Sequence, residues 1–445
     1  MTASLSLSIP FDMDNSKSSA NFFSLALGPH PQRVSYADAS PQIKAGSSAP
    51  HGRRRWCLGL LFFCSLANPH AQTGFSTRQI DVSETAGIRR TEYPVTAQVE
   101  LPRGALRDVA GARLKVTDEV PAQLTAETTW PDGSVRALSV DFNVSLGPGE
   151  RRRYILEFGP DVKPAPASGR GLSVTEDADA IQVGNMRFGR SGSPLVLAAN
   201  YVKMNFIGSG WNGISVTDSN GTPHDLSSAQ DVKLEILKRG PLKVVLRYTG
   251  RLPMDQAAAA PFVVTMEMPN SKSWLKVSAV VQDPSRRIRS LAFDSPLALG
   301  ALPWTWDFGT DNGTYGAFRT ATDTAVLEQT VSQKGPAGWM VRTGPQGGTL
   351  GDYEGGPDGR AAHGWGHLLD ARGAVAFGFV DFAREQGVYR IALTGNGQTS
   401  FSFEPSRPSA EHRLTVYQHF VSTPVPIGAA TTPTSMLHPL KVDVK

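Results

Sequence analysis

Apolar residues recur at every second position through most of the chain from residue 74 onward. Tyr154, Leu156 and Phe158 alternate with Ile155 and Glu157, and Val232, Leu234 and Ile236 with Lys233 and Glu235. Phe262, Val264, Met266 and Met268 fall on one parity, as do Leu275, Val277, Ala279 and Val281. Val375, Phe377 and Phe379 form a further run, and Leu414 and Val416 another near the end. A period of two puts successive side chains on opposite faces of a strand, so one face enters a core and the other meets polar surroundings. Turn signals separate the runs: Pro131-Asp132-Gly133, Gly147-Pro148-Gly149, Asn220-Gly221, Asn312-Gly313 and Asn396-Gly397. No amphipathic stretch is long enough for more than two or three helical turns. The pattern predicts an all-β protein.

Composition narrows the class further. The 445 residues include 44 Gly and 32 Pro, which suits many turns. Both cysteines, Cys57 and Cys64, lie near the N-terminus, so no disulfide framework or thiol chemistry is available beyond it. Six basic and three acidic residues fall within 1–71, leaving 38 against 37 for the rest. Nucleic-acid binding needs a concentrated basic stripe, and the body of the chain has none. No nucleophile elbow, phosphate loop, dinucleotide fingerprint or HExxH helix occurs, and no cofactor is expected.

Arg53-Arg54-Arg55 precedes an apolar stretch, 56–67, that ends in small residues at Ser65 and Ala67. A basic flank, a short apolar segment and a small-x-small site describe a secretory signal. The stretch is too short to span a bilayer. Residues 1–71 therefore read as a leader, and the mature protein as exported, periplasmic or extracellular, and not integral to the membrane. A Pro- and Ala-rich linker, 161–171, divides the remainder into 74–160 and 172–430, with a C-terminal tail at 431–445.

The first segment carries Tyr93-Pro94-Val95-Thr96, then Leu101-Pro102-Arg103-Gly104-Ala105-Leu106, Val120-Pro121-Ala122-Gln123 and Trp130-Pro131-Asp132-Gly133-Ser134-Val135-Arg136. That order resembles the N-terminal RIFT-barrel domain of the exo-rhamnogalacturonan lyase and YetA-like proteins, polysaccharide lyase family 26. Arg239-Gly240-Pro241-Leu242, Trp274-Leu275-Lys276-Val277 and the run 364–380 resemble that family's central β-sandwich. The resemblance implies a small N-terminal RIFT-type β-barrel followed by a large β-sandwich. His438-Pro439-Leu440 is similar to the junction at which the family's next domain, an α/α toroid, begins. The chain ends without one, so a separate helical toroid could be a partner. The resemblance also implies a polysaccharide ligand, with pectic or other acidic chains foremost.

Two places could carry that chemistry. Trp130 could stack on a sugar with Arg136 aimed at a uronate carboxylate. Equally, Pro131 to Gly133 could be a register-setting turn with Trp130 packed beside it. His363, Trp365 and His367 share one parity, so two imidazoles and an indole could line a groove, with Tyr353, Asp352 and Glu354 in a preceding Gly-rich loop. The spacing matches no recognised metal-ligand pattern, and no metal is expected. Trp211, Trp304 and Trp306 are either sugar platforms or core residues. Three functions follow: a carbohydrate-binding module, an active lyase with its site in the sandwich or interdomain groove, and a structural envelope protein.

Overall fold

A computed structural model describes residues 74–163, 171–201, 203–254, 257–310, 313–345, 352–355, 361–423 and 431–445. The leader 1–71, with its signal segment, and most of the expected linker lie outside them. The all-β expectation holds: strands dominate, and the α-helix among the described residues is the six-residue Thr432–Leu437. No helix among the described residues is long and apolar enough to cross a membrane.

The sandwich is built from two large antiparallel sheets. One has nine strands, in spatial order Gln230–Lys238, Lys243–Met254, Ala257–Pro269, Trp274–Gln282, Glu411–Ser422, Gly373–Phe379, Trp365–Leu369, Trp304–Phe308 and Thr314–Phe318. The other has eight and includes Gly213–Asp218, Ile288–Pro296, Gln398–Pro405, Gly387–Thr394, Asp323–Ser332 and Gly335–Pro345. Their inner faces share one core, in which Val264, Met266, Leu275, Val277 and Phe377 from the first sheet join Phe293, Leu327, Val341, Ile391 and Phe401 from the second. Those from the first sheet lie on the parities marked apolar in the sequence, so there the alternation chose the buried face. A further five-stranded sheet spanning Val174–Glu176 to Met204–Asn205 adds Ile181, Phe188 and Val196 to the same core.

The first segment forms two sheets, and neither closes on itself through its own pairing. Arg90–Glu100, Val135–Leu146 and Ala122–Thr129 make a three-stranded sheet. Ser76–Ser83 and Arg151–Phe158 belong to a five-stranded one. The fifth member of the latter is Lys441–Val444, which pairs antiparallel with Ser76–Ser83. The stretch 431–445, expected to be a tail, is thus a helix and a strand. Its short polar residues hid a period too brief to read, and the pairing partner lies more than 350 residues away in the sequence.

A second core joins the two parts. Val95, Leu138, Phe142, Tyr154, Leu156 and Phe158 pack with Trp274, Ala376 and Met436. Trp274 and Ala376 stand on the outer face of the nine-stranded sheet, one residue out of phase with inward Leu275 and Val375. The strand Gly373–Phe379 is buried throughout, because it is covered on both sides. Its sequence suits that place. Large Val375, Phe377 and Phe379 face the sandwich core, and small Ala374, Ala376 and Gly378 leave room outside, where a Cβ on Gly378 would press on Leu437 of the helix.

Candidate functional site

The outer face of the nine-stranded sheet is covered by the first segment at Trp274 and Ala376 and reaches solvent toward Tyr315, and the residues on it follow from strand register. Tyr315 pairs with Asp307, Asp307 with His367, His367 with Ala376, Ala376 with His419, and His419 with Trp274. Residues paired across antiparallel strands point to the same face, so these six form one row across six strands.

The centre of the row is a hydrogen-bonded pair. His367 Nδ1 sits 2.8 Å from Asp307 Oδ1 and 3.1 Å from Oδ2. A carboxylate only accepts, so Nδ1 carries the proton and Nε2 is left to face outward chemistry. The His367 side chain is 15% exposed and that of Asp307 36%, so both remain within reach of solvent. Tyr315 stands beside Asp307 at 70% exposure, far more than a phenol ring usually shows.

The predicted sharing of a face by His363, Trp365 and His367 is observed. The Trp365 ring lies edge-on to His367 at 5.8 Å between centroids, and His363 lies 6.3 Å from Trp365 on its other side. Gly309 makes this possible. Its N–H donates to Trp365 O and its carbonyl accepts from His363 N, both at 2.7 Å, and any Cβ there would overlap the indole. Gly364, at φ +69°, is similarly closed to a side chain by Phe382.

The other predicted residues are placed differently. Trp130 and Arg136 do meet, with the Arg136 guanidinium 5.0 Å from the indole centroid. They meet within one hairpin. Trp130 N donates to Ser134 O, Gly133 N to Trp130 O, and Trp130 Nε1 to Leu101 O at 3.1 Å, so the turn and the Leu101 carbonyl hold the indole beneath Arg136. None of these contacts reaches the His367 strand. Tyr353 belongs to Asp352–Gly355, which pairs with Gly335–Pro345 in the eight-stranded sheet; the Gly-rich stretch does not place it in the same sheet as His367. The side chains of 352–355 lie outside the described residues. Trp304 and Trp306 point inward at 6% and 3% exposure and belong to the core, and Trp211 packs against it.

A second concavity, about 410 Å³, runs between the first segment and the sheet, where the sequence allowed an interdomain groove. Its charges are mutually satisfied. Lys243 Nζ reaches Glu267 Oε2 at 2.6 Å, Lys276 Nζ reaches Oε1 at 2.8 Å, and Asp141 accepts from Lys238 at 3.3 Å. Burial pushes the Glu267 carboxyl up, but the neighbouring Lys243 and Lys276 outweigh it and hold it at about 2. Such a network ties two layers together without leaving a free charge for a ligand.

No family model matches the chain, and no curated protein sequence does. Among solved structures, a protein in the glycosyl hydrolase family 38 from Enterococcus faecalis aligns with a TM-score of 0.52 at 11% identity, over 83% of this chain and 47% of that one. An alpha-mannosidase from Enterococcus faecalis V583 gives 0.50 at 10%, over 83% and 46%. The likeness is one of fold. The chain spans less than half the length of either protein.

Asp307, Tyr315 and His419 escaped the sequence reading. Asp307 was legible as the polar end of Trp304-Thr305-Trp306-Asp307, but its partner is 60 residues away and only register brings them together.

Proposed function

We propose that this chain is an exported, carbohydrate-associated protein, related to the non-toroid domains of exo-rhamnogalacturonan lyases, whose sheet face binds an acidic polysaccharide. The observation that carries this reading is the His367–Asp307 pair set between the half-buried ring of Trp365 and the exposed ring of Tyr315. Flat aromatic faces stack on the apolar faces of sugar rings, and His367 Nε2, not engaged by Asp307, accepts from a sugar hydroxyl. A fold shared with proteins described as a family 38 glycosyl hydrolase and an alpha-mannosidase supports a role beside carbohydrate. Affinity electrophoresis in polygalacturonate and rhamnogalacturonan tests it. Retardation that Trp365→Ala and Tyr315→Ala abolish supports the reading; migration identical with and without polysaccharide removes it. Sequencing the N-terminus of secreted protein tests export, with cleavage expected near Ala67.

The same pair favours a second reading, an active lyase. With Nδ1–H donated to Asp307, His367 has Nε2 left to act as a base. It would take the proton beside the uronate carboxylate; the freed electron pair would form the ring double bond as the 4-linked oxygen leaves. Appearance of an unsaturated uronide, lost in His367→Gln, would establish turnover. Binding without that product leaves the module reading in place.

A further inference from the structure

A separate cavity of about 590 Å³ lies where the Gly87–Thr91 turn of the first segment, the Lys272–Trp274 stretch, the end of the His419 strand and the short helix meet. Trp274 and Tyr93 form its apolar side, with rings edge-to-face at 5.9 Å. No aspartate or glutamate is among its lining residues, whereas Arg89, Arg90 and Lys272 are.

These cations are not equally engaged. Arg90 is fully committed: it pairs with Glu84 and donates to the carbonyls of Ser435 and His438. Lys272 donates one hydrogen bond, to Thr91 O at 2.6 Å, and an ammonium has three to give. Arg89 is exposed and forms no ion pair among the described residues, though its charge helps hold the Glu150 carboxyl down. The wall therefore presents two cations with donors to spare.

His419 supplies the independent sign. It lines the cavity at 8% exposure, and its Nδ1 has no hydrogen-bond partner among the described residues. A buried polar nitrogen left unmatched destabilises the fold, and a ligand group bonded to it would relieve that.

We propose that this cavity binds a small ligand bearing a carboxylate on a ring-sized body, with Lys272 and Arg89 on the carboxylate and Trp274 and Tyr93 against the ring. A single carboxylate matches two incompletely engaged cations, and the aromatic wall favours a body over a bare hydrated ion. Burial pushes the Lys272 ammonium down, a cost that a carboxylate beside it relieves. Burial, with Lys272 and His367 adding to it, holds His419 at about 4, so the imidazole is neutral near pH 7 and adds a hydrogen bond without opposing charge. The cavity shares His419 and Trp274 with the row that carries His367, but Lys272 and Arg89 stand outside that row, and the inference does not depend on the function proposed above.

Calorimetric titration of the purified chain with D-galacturonate, D-galactose and inorganic phosphate tests it. Galacturonate binds, galactose does not, and Lys272→Met and Arg89→Ala each weaken binding by about tenfold or more. Trp365→Ala leaves it unchanged. Arg89 is exposed, so Arg89→Ala keeps the test valid should Lys272→Met fold poorly. Equal binding of galactose overturns the proposal, as does phosphate binding without galacturonate. Galacturonate affinity retained in both cation variants overturns it too, and its loss in Trp365→Ala reassigns the binding to the sheet face.

Discussion

Lys445 Nζ lies 2.9 Å from Asp81 Oδ2, which fastens the final residue to the first strand of the first segment. Asp81 has no exposed surface, and its carboxylate also accepts from Gln79 at 2.7 Å, Arg151 at 2.5 Å and Arg153 at 3.2 Å. Lys445 contributes most to holding this carboxyl far below the usual range; burial opposes it, and Gln79, Arg153 and Arg151 reinforce it. Around this pair, Gln79 N donates to Lys445 O and Lys445 N to Gln79 O. Deleting 441–445 exposes one edge of Ser76–Ser83. Hydrogen exchange at the Gln79 amide is then expected to accelerate at least about tenfold, while amides in the core strand Gly373–Phe379 keep their protection. Unchanged exchange at Gln79 would mean that the strand pairing contributes nothing.

Arg90 and Glu84 form an ion pair with almost no exposure on either side, 3.2 Å apart. Arg90→Met removes the cation while leaving Glu84 buried and the His438 carbonyl without its Arg90 donor; Ser435 O keeps the hydroxyl of Tyr93. Breaking such a pair from one side costs about 3–5 kcal/mol. A urea midpoint lowered accordingly is the expected result. Arg90→Lys restores the charge without the planar fork and is expected to recover only part of the loss.

Stability should fall with acid in two stages. His419, held at about 4 against an ordinary value near 6.5, binds its proton more readily when unfolded. Stability on its account is therefore full above about pH 6.5 and declines toward pH 4, by on the order of 2–3 kcal/mol. His412, pushed down first by burial, has the same sign. Glu84 and Glu267 then act below about pH 4.5. Burial pushes the Glu84 carboxyl up, but donors from Gly149, Ala86, Arg90 and Gly87 bring it to about 2. Both carboxylates give stability that is lost as pH falls through these depressed values. Urea midpoints measured across pH 8 to 3 check the sequence, and His419→Gln should flatten the first decline.

Gly309→Ala offers a test of the sheet face that replaces no ligand-contacting side chain. The added methyl would overlap the Trp365 indole and force it off its seat. Polysaccharide affinity should drop about tenfold, close to the effect of Trp365→Ala, with a thermal midpoint lowered by a few degrees at most. Full affinity in Gly309→Ala would separate the indole's position from binding.

Much of this architecture is written in the sequence, and the residues show why. Leu275 and Trp274 differ in parity, and a period of two sends one into the sandwich core and the other to the opposite face. The same rule placed His363, Trp365 and His367 side by side, and the Pro131-Asp132-Gly133 turn brought Trp130 and Arg136 together. These are local properties, fixed by backbone geometry over a few residues. Parity does not say which strand lies next to which. Asp307 meets His367, Lys441–Val444 joins Ser76–Ser83, and Tyr353 falls in the other sheet, because pairing between distant strands is settled by the packing of whole layers. The sequence alone determined the strands and their buried faces; the tertiary structure decided their neighbours, because hydrogen-bond register between strands is a long-range choice.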